Sequence, residues 1–209
     1  MSPTVLLVDD HPVVRAGVRG WLSDAGVEVL GEALDGAEAL AFIQNNPPSV
    51  VLTELLLPRV DGFRLLSDLR DAGVRTGVVC YTGQDNPTYA ARASALGAAA
   101  FVPKSAPRET LLEAVRSVAA GGTWWPTELV RRLTGALATP TSAGLAAPLT
   151  TRESEVLKQL SHGLSNKEIA QALGISYETV KEHVQHILRK LNVADRTQAA
   201  VWAVRQGLA

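Results

Sequence analysis

An α/β doubly wound, five-stranded parallel sheet followed by a small all-α domain of four helices is the fold this 209-residue sequence predicts. Three observations carry the prediction. Between residues 4 and 119, five short Val- and Leu-rich runs alternate with five stretches whose apolar residues recur at helical spacing. From residue 149 onward every local signal is helical, with cap residues and glycines in the order helix ends require. Between the two lies Ala138 to Pro148, aperiodic and rich in Ala, Thr, Pro and Gly, which reads as a flexible linker. The expected domains are therefore 1–121 (α/β), 122–148 (linker with a possible short helix from Pro126 to Leu137) and 149–209 (helical).

The first strand is Thr4 to Val8, ending in Asp9-Asp10. Apolar residues at 14, 18, 21, 22 and 25 mark one face of the first helix. Val27 to Ala33 and residues 36–45 supply the next strand and helix. They are followed by a strand at 50–54, a helix at about 63–72, a strand at 77–81, a helix at about 87–96 and a strand at 99–103. Leu111, Leu112, Val115, Val118 and Ala119 form the inner stripe of the fifth helix. Right-handed crossovers bring the carboxyl ends of all five strands to one edge. Trp124 and Trp125, just past Gly121-Gly122, are expected to cover a core edge.

Bulk properties narrow the function classes. The formal charge of −1 divides into −4 for residues 1–121 and +3 for residues 122–209, the pattern of a regulatory module joined to a nucleic-acid-binding one. The lone Cys80 sits in an apolar run and is expected to be buried, which fits a cytoplasmic, reducing compartment. No run of 18 apolar residues exists and no basic segment precedes the first strand, so neither a membrane span nor a signal peptide is expected.

The strand edge collects Asp9 and Asp10, Glu54, Thr82 and Lys104. Ligands and chemistry sit at such edges. Two carboxylates about 4 Å apart repel by roughly 4 kcal/mol at an effective dielectric of ~20. A cation must offset this, either Lys104 or a hard divalent ion such as Mg²⁺.

On Val-Asp-Asp-His at 8–11, Pro58…Asp61-Gly62, Tyr81-Thr82-Gly83 and Phe101-Val102-Pro103-Lys104, residues 4–120 resemble the receiver domain of bacterial response regulators. The resemblance implies a site that holds Mg²⁺ through Asp10 directly, Asp9 from further out, the Leu56 carbonyl and the carboxylate at position 54. It also implies a phosphoryl group delivered there by a histidine kinase, sensed by Thr82 and Lys104, with Phe101 at the aromatic switch position. His11 is read as helix-start surface. The departure is Glu54, which stands where the family places its phosphoacceptor aspartate. One extra methylene moves the carboxylate roughly an ångström, and small misplacements of a reacting group can cost about a hundredfold. The displaced oxygens are instead expected nearer Thr82 and Lys104, imitating a phosphoryl group incompletely, with one charge against nearly two.

In the helical module, Thr150…Glu153 and Ser165…Glu168 have capping-box spacing, and Gly163 and Gly174 end the helices they open. Ser176 caps a longer helix over 177–191, and Asp195 starts the last one. A short helix, a turn through Gly174-Ile175-Ser176 and a longer helix make a helix-turn-helix. In the longer helix Val180, Val184, Ile187, Leu188 and Leu191 share the core side. Glu178, Glu182, Gln185, His186 and Arg189 face away, flanked by Thr179, Lys181, His183 and Lys190. Gln, Arg and Glu can read adenine, guanine and cytosine, while Lys and Thr suit phosphates. Two histidines without a third ligand do not make a metal site. On Leu149-Thr150-Thr151-Arg152-Glu153, Gly163 to Ala170, and Thr179-Val180-Lys181…His183-Val184, residues 149–206 resemble the LuxR-type DNA-binding domain. Lys167, Thr179, Lys181, Glu182, Gln185, His186, Arg189 and Lys190 are the candidate DNA contacts. Glu182 departs from the family pattern. A net charge of +2 over 149–209 is modest, which favours a dimer reading two half-sites.

The order of the two resemblances is that of NarL/FixJ-type response regulators. They imply a homodimeric regulator of transcription that binds double-stranded DNA and is not an enzyme, with a receiver not phosphorylated at the usual place. The alternative is a conventional phosphorylation-controlled regulator carrying Glu54 as a phosphomimetic substitution. An Mg²⁺-dependent phosphohydrolase would need a nucleophilic aspartate that Glu54 does not supply. A protein-interaction adaptor would not bind promoter DNA.

Overall fold

The computed structural model describes residues 2–84, 86–127, 130 and 148–208. The expected helix at 126–137 and the linker at 138–148 fall almost wholly outside these residues. Two compact units result, Met1–Asp85 with Leu96–Pro126, and Asn86–Ala95 with Thr127–Ala209.

In the first unit, β1 (Thr4–Val8), β2 (Glu28–Ala33), β3 (Val50–Thr53), β4 (Gly77–Thr82) and β5 (Ala100–Pro103) form one parallel sheet in the order β2-β1-β3-β4-β5. The central β3 is buried along its whole length, whereas the edge strand β2 alternates between exposed and half-buried residues. That contrast is why β3 reads as a continuous apolar run. Helices α1 (Pro12–Asp24) and α5 (Arg108–Ala119) close one face over Val5, Leu7, Val50 and Leu52. On the other face, α2 (Gly36–Asn45) and α3 (Gly62–Asp71) pack together. Asp35 and Asp61 cap them by accepting hydrogen bonds from backbone amides in the first turn.

The first unit runs past the expected limit at 121. The Trp124 amide donates to Ala99 O and its carbonyl accepts from Phe101 N, adding a one-residue bridge beside β5. Trp124 packs on the core, as expected of it. The helix α4 (Pro87–Ala95) follows β4 and groups with the second unit.

The second unit contains α6 (Thr151–Ser161), α7 (Asn166–Leu173), α8 (Tyr177–Leu191) and α9 (Arg196–Arg205). Both expected capping boxes form, at Thr150/Glu153 and Ser165/Glu168. Gly174 ends α7 with φ 64°, the left-handed turn that lets α8 start at Ser176. Val156, Leu157, Leu160, Ile169, Val180, Ile187, Leu191 and Ala199 form the core of this unit. Of the expected inner side of α8, Val184 and Leu188 are only partly buried. No described helix is long and apolar enough to cross a membrane.

Candidate functional site

Strand register assembles the acidic pocket. Val8 pairs with Thr53, so the next residues, Asp9 and Glu54, leave β1 and β3 side by side, and the Glu54 amide donates to Val8 O at 2.8 Å. Thr82 pairs with Pro103, which sets Lys104 next to Thr82, its amide donating to Thr82 O at 2.7 Å. Gly62 closes the floor beneath them. Its amide donates to Leu55 O, and a Cβ there would collide with the Glu54 carbonyl oxygen, so the Asp61-Gly62 pair couples a helix cap to a backbone approach only glycine allows.

Glu54 is 7% exposed, and its carboxylate is fully engaged. Oε1 accepts from the amides of Leu55 at 2.7 Å and Leu56 at 3.3 Å. Oε2 accepts from the Gly83 amide at 3.1 Å and lies 2.7 Å from Lys104 Nζ. Burial pushes the Glu54 carboxyl up, but hydrogen bonds from Lys104, Thr82 and the Leu55 amide outweigh it and hold the group below its usual value. Lys104 also lies 2.6 Å from Asp9 Oδ2. Burial lowers its affinity for the proton, while Asp9 and Glu54 raise it further, so the ammonium is held above the ordinary lysine value. Thr82 is fully buried, and its Oγ1 accepts from the Gln84 amide. Phe101 is buried on β5. Cys80 is buried too, its thiol pushed up by burial and then by the Glu54 charge, which makes it unreactive.

The Mg²⁺ that the receiver resemblance implies for this pocket would meet donors that fit it poorly. Asp9 Oδ1 accepts from the His11 amide and Oδ2 is taken by Lys104. Both Glu54 oxygens are occupied by amides and the same ammonium. Among the described atoms of this pocket, Asp10 Oδ1 is buried without a hydrogen bond, with His11 Nδ1 2.9 Å away. Asp9, Asp10 and His11 offer three ligand atoms within 4.8 Å of one another, yet one is an imidazole nitrogen, and Mg²⁺ prefers oxygen. The Leu56 amide donates to Glu54 Oε1 at 3.3 Å. Lys104 thus stands where the carboxylates require positive charge.

One participant was missed from sequence. Arg59 has φ 58°, left-handed for a side-chain-bearing residue, and it pairs with the fully buried Asp35 and with Glu38. The loop after Glu54 is thereby pinned to the start of α2. Nothing in a lone arginine after Pro58 signalled this.

In the second unit the outward side of α8 exposes Glu178, Lys181, Glu182, Gln185, His186 and Arg189, and Lys167 is exposed on α7. Thr179 is half-buried and engaged locally, its amide and hydroxyl meeting Ser176 Oγ at the helix cap. Lys190 departs from its assignment as a DNA contact. Its Nζ lies 2.7 Å from Glu153 Oε2 and donates to Pro148 O at 3.1 Å. Glu153 is 3% exposed. Burial pushes its carboxyl up, but Lys190 and the Thr150 amide and hydroxyl bring it down to about 2. An unpaired carboxylate at that depth is costly, so the lysine is pulled inward.

Two family models match the chain: the response regulator receiver domain over residues 5–116, and the bacterial regulatory proteins of the luxR family over residues 147–203. The nitrate/nitrite response regulator protein NarP of Escherichia coli is 38% identical, over 97% of this chain and 94% of its own. The uncharacterized transcriptional regulatory protein YxjL of Bacillus subtilis is 36% identical, over 98% and 96%. Among solved structures, the response regulator ChrA of a heme-sensing two-component system is 35% identical, covers 100% and 99% of the two chains and superposes with a TM-score of 0.53. RcsB from Salmonella enterica serovar Typhimurium bound to a promoter has a TM-score of 0.67 over 97% and 98%, and at 24% identity supports the fold alone.

Proposed function

The chain belongs to the response regulators that join a receiver domain to a luxR-family DNA-binding domain, and from that premise we propose that it regulates transcription with a receiver whose switch is set without phosphorylation. One observation carries the reading: Glu54 brings its carboxylate to Lys104 and to the Gly83 amide. Lys104 is a group that the receiver resemblance assigns to gripping a phosphoryl oxygen. Glu54 supplies one charge to seats suited to nearly two, so it holds the active arrangement incompletely but permanently. The same contacts occupy the Asp9 and Glu54 oxygens with Lys104 and backbone amides, so Mg²⁺ is weakened as a cofactor. No histidine kinase is required, and the pocket carries no enzymatic turnover.

The protein acts in the cytoplasm as a homodimer on double-stranded DNA. The recognition helix α8 enters the major groove, with Lys181, Glu182, Gln185, His186 and Arg189 toward the DNA and Lys167 toward its backbone. RcsB, which shares the fold, has been solved as dimers on DNA. The modest charge of the DNA-binding module makes two half-sites the more effective arrangement.

The test is to incubate the wild type and Glu54→Asp with a small-molecule phosphodonor and Mg²⁺, weigh both intact, and measure promoter binding before and after. The wild type should gain no phosphoryl mass and should bind DNA equally in both conditions. Glu54→Asp should gain the mass and tighten. A phosphoryl adduct on wild-type Glu54, or tighter wild-type binding after treatment, would overturn the proposal.

A further inference from the structure

We propose that Glu182 is the specificity-determining residue of α8 and that it selects a cytosine in the major groove. The inference rests on the DNA-binding reading above and names the base chemistry of its ligand. At about 100° per residue, Glu182 and Arg189 stand within about 20° of the direction opposite the buried Val180, Ile187 and Leu191. Glu182 is exposed. The other outward glutamate, Glu178, lies 3.7 Å from Lys181 and is partly neutralised by it.

The withdrawal of Lys190 to Glu153 changes the balance on this face. The exposed charges of α8 are Lys181 and Arg189 against Glu178 and Glu182, with no net attraction for phosphate left. A carboxylate carried into the groove is repelled by the phosphates on both sides, and only a favourable base contact offsets that. Ionised, it can only accept hydrogen bonds. In the major groove only cytosine N4 and adenine N6 donate. Adenine N6 is flanked by two acceptors, its own N7 and the partner thymine O4, which repel the second carboxylate oxygen. Cytosine N4 has one such neighbour, the partner guanine O6, and an apolar C5 edge on its other side. Glu182 therefore favours cytosine and rejects the other bases by charge, so specificity comes largely from penalising wrong sites.

The experiment is selection of bound duplexes from a randomised pool by the full-length chain, for the wild type, Glu182→Gln and Glu182→Ala, with affinities then measured on the enriched sites. The wild type should enrich cytosine at one position of each half-site, by about tenfold over other bases. Glu182→Gln, whose amide can both donate and accept, should shift that position toward adenine. Glu182→Ala should lose preference there alone and bind random duplex more tightly. The residue is exposed, so both variants should melt with the wild type. If both enrich the wild-type sites, or tighten binding to every sequence equally without changing any position, the assignment is overturned. If the wild type enriches no sequence at all, the DNA-binding reading falls and this inference falls with it.

Discussion

Each unit of this protein buries one glutamate against one lysine, and the two pairs do different work. In the receiver, Lys104 lies 2.7 Å from Glu54 and 2.6 Å from Asp9, with Asp10 close by. One ammonium serves two buried carboxylates, so negative charge remains in excess. In the DNA-binding module, Lys190 lies 2.7 Å from Glu153 alone, its remaining capacity directed to the Pro148 carbonyl. That pair balances, and Glu153 also completes the capping box that starts α6. A pair with charge left over can be biased by a further cation or anion, whereas a balanced pair inside a helix cap holds the fold. The same residue types thus make a switch in one unit and a clasp in the other.

The largest expected effect breaks the receiver pair. Lys104→Met leaves Asp9 and Glu54 adjacent, buried and without a cation. Removing one partner of a buried ion pair costs about 3–5 kcal/mol. Chemical denaturation of the full chain, with hydrogen exchange followed in β3 and β5, should show a loss of that size. Added Mg²⁺ should restore part of it in the variant and change the wild type little, because in the wild type Lys104 already occupies the Asp9 and Glu54 oxygens that the ion would need. Equal Mg²⁺ stabilisation of both proteins would mean that Lys104 does not stand in for a cation.

How far the two pairs could be read from sequence differs for physical reasons. Asp9, Glu54, Thr82 and Lys104 were legible because each ends or follows a continuous apolar strand, and parallel strands fed by right-handed crossovers share one edge. The approach of Glu54 to the Gly83 amide was not legible, since it depends on the path of the loop after β4. Helical periodicity found the core of α8 but set Lys190 on the DNA-facing flank. Its partner Glu153 lies 37 residues earlier on another helix, and its sequence signal is spent on the capping box. Trp124 was placed on the core, but its bridge to Ala100 rests on one residue and leaves no pattern. The left-handed Arg59 gave no sign because glycine, not arginine, usually marks such a turn.

A smaller effect sharpens the clasp. Glu153→Gln keeps the shape of the cap but loses its charge, and Lys190 can still reach water. Charge-assisted hydrogen bonds of this kind are worth about 1.5–3 kcal/mol, so a loss of about 2 kcal/mol is expected in the DNA-binding module. Lys190→Met leaves the buried Glu153 carboxylate without a cation and should cost more, about 3–5 kcal/mol. At a temperature where Lys190→Met remains folded, its affinity for operator DNA should match the wild type and its salt dependence should be unchanged. A salt slope smaller by about one would return Lys190 to the phosphate contacts.

The smallest effect separates the pairs by pH. The Glu153 carboxyl is held at about 2 in the folded chain, below its ordinary 4.5, so its contribution is complete above 4.5 and is lost as pH falls toward 2. Glu54 is lowered in the same direction, so the receiver weakens on the acid side as well. The alkaline side differs. Lys104 is held above its ordinary 10.5, so its contribution is complete below that value and is lost as pH rises through the higher folded value. Melting curves should show an acid limb in the DNA-binding module of about 5 °C that Glu153→Gln flattens. The receiver should show an alkaline limb that Lys104→Met removes. If Lys104→Met leaves that limb intact, the lysine is not what balances the pocket, and the contrast between switch and clasp loses its electrostatic basis.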